Sequence, residues 1–285
     1  MKKIGFIDYY ISEWHANNYP AWIKEFCEGA GLEYEISYAW AAKDVSEVDG
    51  VTTAEWCEKF GVTQCESAKE LCEKSDYIII LSPSNPEQHL ALAEASFPYA
   101  KGKRIYIDKT FAPDLETAKK IFALAKEYDI KFFSTSALRY SNEIDTARNC
   151  EKVVTRGTGK KMDEYIIHQI EMVIKTMGTD VLGVKTVKND AETACYVEYK
   201  DGRKAEMYHH SDYPFAITLT KDGKEEGGQI SSPFFKNLIG KIIMFFENGE
   251  IDFDEKETLA VMALREAVVK SSESDGAFVN CPEIL

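Results

Sequence analysis

No segment of this chain approaches the roughly eighteen consecutive apolar residues of a membrane-spanning helix, so none is expected. There is no C-x-x-C pair. The cysteines number seven, an odd count, and are scattered along the chain. Reduced thiols in a cytoplasmic protein are the simplest account. Basic residues are in deficit, 34 Lys and Arg against 48 Asp and Glu, for a net charge of -14. An acidic surface argues against nucleic acid and anionic membranes as partners, and leaves a small-molecule site open. Internal repeats, low-complexity segments and a long linker are also missing. The opening Met1-Lys2-Lys3-Ile4-Gly5 leads into a strand-like run rather than a signal peptide. What is present is a soluble globular profile over 285 residues, 45% hydrophobic and 29% charged, enough for one large domain or two ordinary ones.

The first part of the chain alternates strand and helix. Lys3 to Asp8 reads as a strand and His15 to Glu28 as a helix, with Gly29 and Gly31 as stop signals. Glu33 to Trp40 is a second strand, and short helices follow at Thr53 to Phe60 and Ser67 to Lys74. Tyr77 to Leu81 is a continuous apolar run, as in a strand buried on both faces, and Ser82 to Pro86 then breaks the chain. Glu87 to Tyr99 is a helix, Arg104 to Asp108 a strand, Asp114 to Tyr128 a capped helix and Lys131 to Phe133 a strand. This alternation predicts a doubly wound parallel sheet, an α/β domain over residues 1–133.

After Ser134 the rhythm changes. Helices are expected at Asn142 to Asn149 and Met162 to Met177, a strand at Glu151 to Arg156, and strands near 181–187, 193–199, 205–208 and 215–220. Asp201-Gly202 and Asp222-Gly223 are turn signals, and helices at Phe234 to Phe246 and Lys256 to Ser271 close the chain. Residues 134–285 therefore read as an α+β domain with a mostly antiparallel open sheet.

One stretch concentrates chemistry. Ile105-Tyr106-Ile107-Asp108-Lys109-Thr110 is an apolar strand that ends in a carboxylate and an ammonium. Ligands of open parallel sheets sit just beyond the carboxyl ends of the strands. An exposed strand-end charge pair is the plainer reading of the same residues.

Several motifs, in order, resemble the glucose–fructose oxidoreductase / inositol dehydrogenase (Gfo/Idh/MocA) family. Ser82-Pro83 with His89 and Gly102-Lys103 resembles its T-P-n-x-x-H … G-K-x-V-x-x-E-K-P segment, with Asp108-Lys109-Thr110 where the family has Glu-Lys-Pro. Arg139-Tyr140 resembles the R-Y/F that opens the second domain. Glu164-x-x-x-His168 with Met177-Gly178 resembles the D-x-x-x-H … L-G helix, and residues 267–279 resemble the terminal A-x-x-x-S-x-x-x-G-x-x-V. The resemblance implies an NAD- or NADP-dependent oxidoreductase acting on a sugar, polyol or related hydroxy compound. It implies that Lys109 positions substrate, that His168 transfers the proton and that Glu164 orients it. It also implies a homo-oligomer formed through the second domain's sheet. Glu164 and His168, four apart, share one helix face, and a His suits proton movement near neutrality. Glu171 and Lys175 lie on that face too, so a solvated charged face is the alternative.

The departure from the family lies in the dinucleotide loop. Where G-x-G-x-x-G is expected, Asp8, Tyr10 and Glu13 stand. Asp8, Tyr9, Tyr10, Trp40, Ser82, Pro83 and Asp108 are the residues left to line a cofactor cleft. A carboxylate about 4 Å from a phosphate charge costs roughly 4 kcal/mol at an effective dielectric of about 20. A helix N-terminus returns only about 0.3–1 kcal/mol to an anion. Repulsion wins unless a cation intervenes or the loop moves. The alternative is therefore a cofactor-free relative: a ligand-binding or structural subunit, or a lyase or isomerase using Lys109 and His168 directly. Lys43 could meet a 2′-phosphate. The aromatics Tyr9, Tyr10, Trp14 and Trp40 either stack on a ligand or fill the space the loop leaves. Thr110 replaces the Pro that fixes the backbone after the lysine. His209, His210 and Asp212 lie too close together in sequence to converge on a metal, so no metal is expected.

Overall fold

The computed structural model describes residues 1–83 and 87–284; the part of the expected break at Ser84 to Pro86 lies outside the described residues. Two compact units form. The first comprises Met1–Ala112, Thr117–Ser134 and Lys236–Asp252, and the second Pro113–Glu116, Thr135–Phe235 and the residues from Phe253 on.

In the first unit the elements are β1 (Lys2–Asp8), α1 (Trp14–Ala30), β2 (Tyr34–Ala41), α2 (Thr53–Phe60), β3 (Thr63–Gln64), α3 (Ala68–Lys74), β4 (Tyr77–Ile80), α4 (His89–Ser96), β5 (Arg104–Ile107), α5 (Leu115–Glu127) and β6 (Lys131–Ser134). The sheet is parallel in the order β3-β2-β1-β4-β5-β6, the doubly wound arrangement expected from the strand–helix alternation. The central strands are the most apolar, because both faces are covered. Ile78, Ile79, Ile80, Ile105, Tyr106 and Ile107 are fully buried. The order reverses between β1 and β4, so Asp8 and Ser82 emerge on either side of the switch point.

In the second unit the elements are β7 (Lys152–Gly157), α6 (Met162–Met177), β8 (Val181–Lys188), β9 (Thr193–Tyr199), β10 (Lys204–His209), β11 (Ala216–Lys221) and β12 (Lys224–Gln229). They are followed by α7 (Phe234–Asn248), α8 (Glu255–Glu273) and β13 (Val279–Asn280). The sheet order is β12-β11-β7-β10-β9-β8-β13, antiparallel except between β10 and β7. The Asp222-Gly223 turn joins β11 to β12 with both residues at positive φ, as a two-residue hairpin of this hand requires.

Two expectations need correction. The stretch Asn142 to Asn149 is not an α-helix: only Asn142–Ile144 is helical, as one 3-10 turn. Glu143 instead accepts from the backbone N–H and hydroxyl groups of Ser231 and Ser232, which holds the segment by side chains rather than by an i→i+4 ladder. The helix α7 lies beyond residue 133 in sequence, yet its contacts from Lys236 on belong with the parallel sheet. Phe246 stacks on Tyr77 at 4.7 Å, Phe245 meets Phe133 at 5.1 Å, and Arg104 donates to the Phe246 carbonyl. The apolar stripe of α7 (Leu238, Ile239, Ile242, Ile243, Phe245, Phe246) is buried, and burying it outweighs chain order in deciding where the helix packs.

Gly5 marks a close approach in β1. A Cβ there would lie 2.4 Å from Ser75 Oγ and 2.6 Å from Leu71 Cδ2. Gly5→Ala is expected to lower stability by about 1–3 kcal/mol through overpacking. A fall in the urea midpoint at unchanged m-value is the check.

Candidate functional site

The β1–α1 connection is folded in on itself. Tyr10, Ile11, Ser12 and Glu13 are all buried. Ser12 Oγ donates to Asp49 at 2.8 Å, and Ser46 Oγ donates to the Ser12 carbonyl at 2.6 Å, so the chain after β2 is laced onto the loop. Tyr9 and Tyr10 stack obliquely at 5.6 Å. Tyr10 therefore fills space, whereas Trp14 is 50% exposed and packs edge-on to Trp22. Trp40 is half-buried at the end of β2, and Lys43 is taken by Glu47 at 2.6 Å.

Glu13 is the N-cap of α1, and its Oε1 accepts from the Ala16 backbone N–H. Its other oxygen meets His15 Nδ1 at 2.9 Å. The first-turn amides of such a helix are where a dinucleotide pyrophosphate would sit. In this chain a protein carboxylate already holds one of them. The loop as it stands does not fit a pyrophosphate.

At the strand ends two aspartates face opposite fates. Asp8 and Asp108 are 0% and 1% exposed. Burial, with Glu13 and then Asp108 adding to it, drives the Asp8 carboxyl well above the ordinary value, which favours the neutral acid. One of its oxygens accepts from the Tyr9 N–H at 2.6 Å. Burial pulls Asp108 up as well, but His15 and Lys109 outweigh it and hold that carboxyl below the ordinary value. Asp108 Oδ1 accepts from the Tyr19 and Tyr106 hydroxyls at 3.2 and 3.1 Å, and Oδ2 lies 3.6 Å from His15 Nε2 and 3.7 Å from Lys109 Nζ. A pair of like groups pushed apart in this way is the arrangement that acid–base chemistry uses. The expected repulsion at the loop is eased accordingly, because the raised value of Asp8 favours its neutral form.

The Asp108–Lys109 pair is not an exposed strand end, since the lysine side chain is only 14% exposed. The Lys109–Thr110 peptide bond is cis. Ser82 is buried, accepting from the Gln88 N–H at 3.1 Å, and Pro83 beside it is half-buried. His89 is fully buried and pairs with Glu87 at 2.6 Å, as befits a structural residue.

In the second unit His168 is half-buried on α6, with Ser136 Oγ 2.7 Å from its Nδ1 and the Phe215 ring edge-on at 5.6 Å. Glu164 is not the group found at Nδ1. It pairs with Lys161 at 2.8 Å, because helical side chains lean toward the N-terminus and Glu164 reaches back rather than forward. The expectation of a solvated face fails as well. Glu171 and Lys175 are each 4% exposed; Glu171 pairs with Arg139 at 2.8 Å, and Lys175 donates to the Arg139 carbonyl at 2.5 Å. Arg139 also pairs with Glu257 and lies over the Phe253 ring. His209 is buried against the Gly159 carbonyl, which takes its Nε2 at 3.2 Å, and among the described residues no metal-holding cluster occurs.

Ser136, Tyr19 and Tyr106 are contacts of these residues that sequence reading misses, and His15, which sequence reading takes for a packing residue, meets both Glu13 and Asp108. For Ser136 the available signal is a Ser placed as N-cap two residues before Leu138, an amide its hydroxyl accepts from.

Residues 38–136 match the family described as "Oxidoreductase family, NAD-binding Rossmann fold". No curated protein sequence matches the chain. Among solved structures, the myo-inositol dehydrogenase of Lactobacillus casei, in complex with NAD(H) and myo-inositol, is similar at TM-score 0.78 and 12% identity, covering 99% of this chain and 97% of that one. The UDP-N-acetylglucosamine 3-dehydrogenase of Acidithiobacillus ferrooxidans follows at 0.76 and 12%, covering 97% and 99%. The scyllo-inositol dehydrogenase of Lactobacillus casei, solved without ligand, gives 0.72 and 13%, covering 98% of both chains. At these identities the likeness shows the fold.

The raised value of Asp8 makes stability depend on pH. Above about pH 4 the unfolded chain has released a proton that the folded chain keeps, so stability falls as pH rises toward the folded value. Asp8→Asn should remove that loss. Its urea midpoint is expected to exceed the parent's at about pH 8, with the difference shrinking toward about pH 4.

Proposed function

Starting from the match of residues 38–136 to the Gfo/Idh/MocA oxidoreductases and from a fold shared over the whole chain, we propose that this protein interconverts a hydroxyl and a carbonyl on a sugar, polyol or related hydroxy compound, with NAD or NADP as redox partner. The observation that carries the reading is Lys109, a mostly buried ammonium delivered by β5 to the carboxyl end of the sheet and set against the Asp108 carboxylate. A nicotinamide, when bound, supplies hydride transfer. Lys109 positions the reacting oxygen by its charge and N–H donors. Asp108, fixed by two tyrosine hydroxyls, anchors the lysine. His168 exchanges a proton with a substrate oxygen. A pyrophosphate could use the first-turn amides of α1 only if the Glu13 carboxylate gave up the Ala16 N–H. The protein acts in the cytoplasm, with its thiols reduced, and self-associates through the outer face of the second sheet, where Leu182 and Tyr196 are exposed. No helix among the described residues is long and apolar enough to cross a membrane.

The Glu13 cap favours a second reading, chemistry at the same lysine and histidine without any dinucleotide. A panel of inositols, hexoses and nucleotide sugars assayed with NAD and with NADP separates the two. Turnover is expected with one pairing, and His168→Ala should lower kcat by about 10²–10⁴-fold. Lys109→Ala should lower kcat/KM, with much of the loss in KM. Conversion of a sugar with no nicotinamide present would instead establish the second reading.

A further inference from the structure

The loop between β1 and α1 is held shut from a second side. Past the end of β2 the pairing with the first strand runs on into the loop. The Ala42 N–H donates to the Asp8 carbonyl at 3.0 Å, and the Lys43 N–H to the Tyr9 carbonyl at 2.7 Å. Residues 44–53 then close on themselves. Val45 bridges to Thr52, the Ser46 N–H donates to the Val51 carbonyl and the Thr53 N–H to the Asp44 carbonyl, with Gly50 at a φ of 76° in the turn. Two side-chain bonds return to the loop, from Ser46 Oγ to the Ser12 carbonyl at 2.6 Å and from Ser12 Oγ to Asp49 at 2.8 Å. Burial pulls the Asp49 carboxyl up, but hydrogen bonds led by Ser12 and the Val51 N–H outweigh it and hold the group below its ordinary value. Ser12 thus donates to a carboxylate, the stronger kind of hydrogen bond. Both ends of the segment are anchored. One is β2, and the other is α2, whose Trp56 donates to Asn17 of α1 at 3.0 Å.

A dinucleotide on a doubly wound sheet lays its pyrophosphate on the first βα turn and its ribose at the end of the second strand. In this chain the hydrogen bonds from Ala42, Lys43, Ser46 and Asp49 to the loop tie those two places together. We propose that residues 42–53 form a clasp over the β1–α1 loop, that the clasp opens as one unit, and that it must open before the crevice admits a dinucleotide. The clasp acts apart from Glu13, whose bond to Ala16 lies between the loop and its own helix. Cofactor binding is then a gated step, with its rate set by the bonds at Ser46 and Asp49. The gating rests on the oxidoreductase reading above; the clasp does not.

The test is amide hydrogen exchange, followed by NMR on the full-length protein, in the parent, Ser46→Ala and Asp49→Ala. The informative amides are those of Ala42 and Lys43, which neither substitution touches directly. Each variant is expected to exchange at both about 3- to 10-fold faster than the parent, the worth of one hydrogen bond, while Ile78 to Ile80 in β4 keep the parent rates. Stopped-flow mixing with NADH and NADPH should show association quickened by a similar factor in each variant. Unchanged exchange at Ala42 and Lys43 would overturn the proposal, as would a rise matched in β4, which a general loosening explains. Nicotinamide bound equally fast by all three proteins would overturn it too. Faster exchange in proteins that bind no nicotinamide at all would support the clasp and remove the oxidoreductase reading.

Discussion

A carboxylate caps the first helix of the parallel sheet, and the character of the site follows from it. In a doubly wound fold the N-terminus of that helix carries partial positive charge and free amides, which suit a phosphate. Glu13 satisfies Ala16 from within the chain, and His15 holds its second oxygen. The cap is connected in turn to the strand ends, because His15 reaches Asp108 with its other nitrogen and Asp108 reaches Lys109. A loop that in a glycine form would bind a ligand's anion has become a fixed part of a protein charge network.

That network explains how three acidic side chains share one buried corner. Two neighbouring charges in a poorly solvated site cost several kcal/mol unless something yields. Asp8 yields by a raised value that favours the neutral form, Glu13 is held by His15 and an amide, and Asp108, its value lowered, is held by His15, Lys109 and two phenols. The result is one carboxyl raised and one lowered at the ends of two central strands, delivered by the β1 and β5 backbones with no loop flexibility between strand and side chain. The second unit solves its own problem with Arg139, whose guanidinium pairs with Glu171 of α6 and with Glu257 of α8, so that the helix bearing His168 is seated on an ion-paired base rather than on solvent.

Much of this fold is legible in the residues, and the exceptions have physical causes. Apolar runs such as Tyr77 to Leu81 declare the central strands. The edge strands do not: β3 and β13 are two residues long, and β12, Lys-Glu-Glu-Gly-Gly-Gln, is wholly exposed and carries no periodic signal. Lys109 and Asp108 could be singled out because a strand end is a place sequence can locate. The partner of His168 could not, since Ser136 lies far from it along the chain, and the neighbour at helical spacing turned the other way. Glu171 and Lys175 misled for a related reason: a charge read alone looks solvated, and only Arg139, from another segment, makes its burial affordable.

The central claim is that Glu13 stands in for the phosphate of a dinucleotide at the start of α1. It is tested most directly by titrating NADH and NADPH into the parent protein and into Glu13→Gln while following intrinsic fluorescence. The account predicts at least about tenfold tighter binding of one cofactor by the variant, since removing a charge some 4 Å from a phosphate is worth up to roughly 4 kcal/mol. Equal or weaker binding by Glu13→Gln would contradict it.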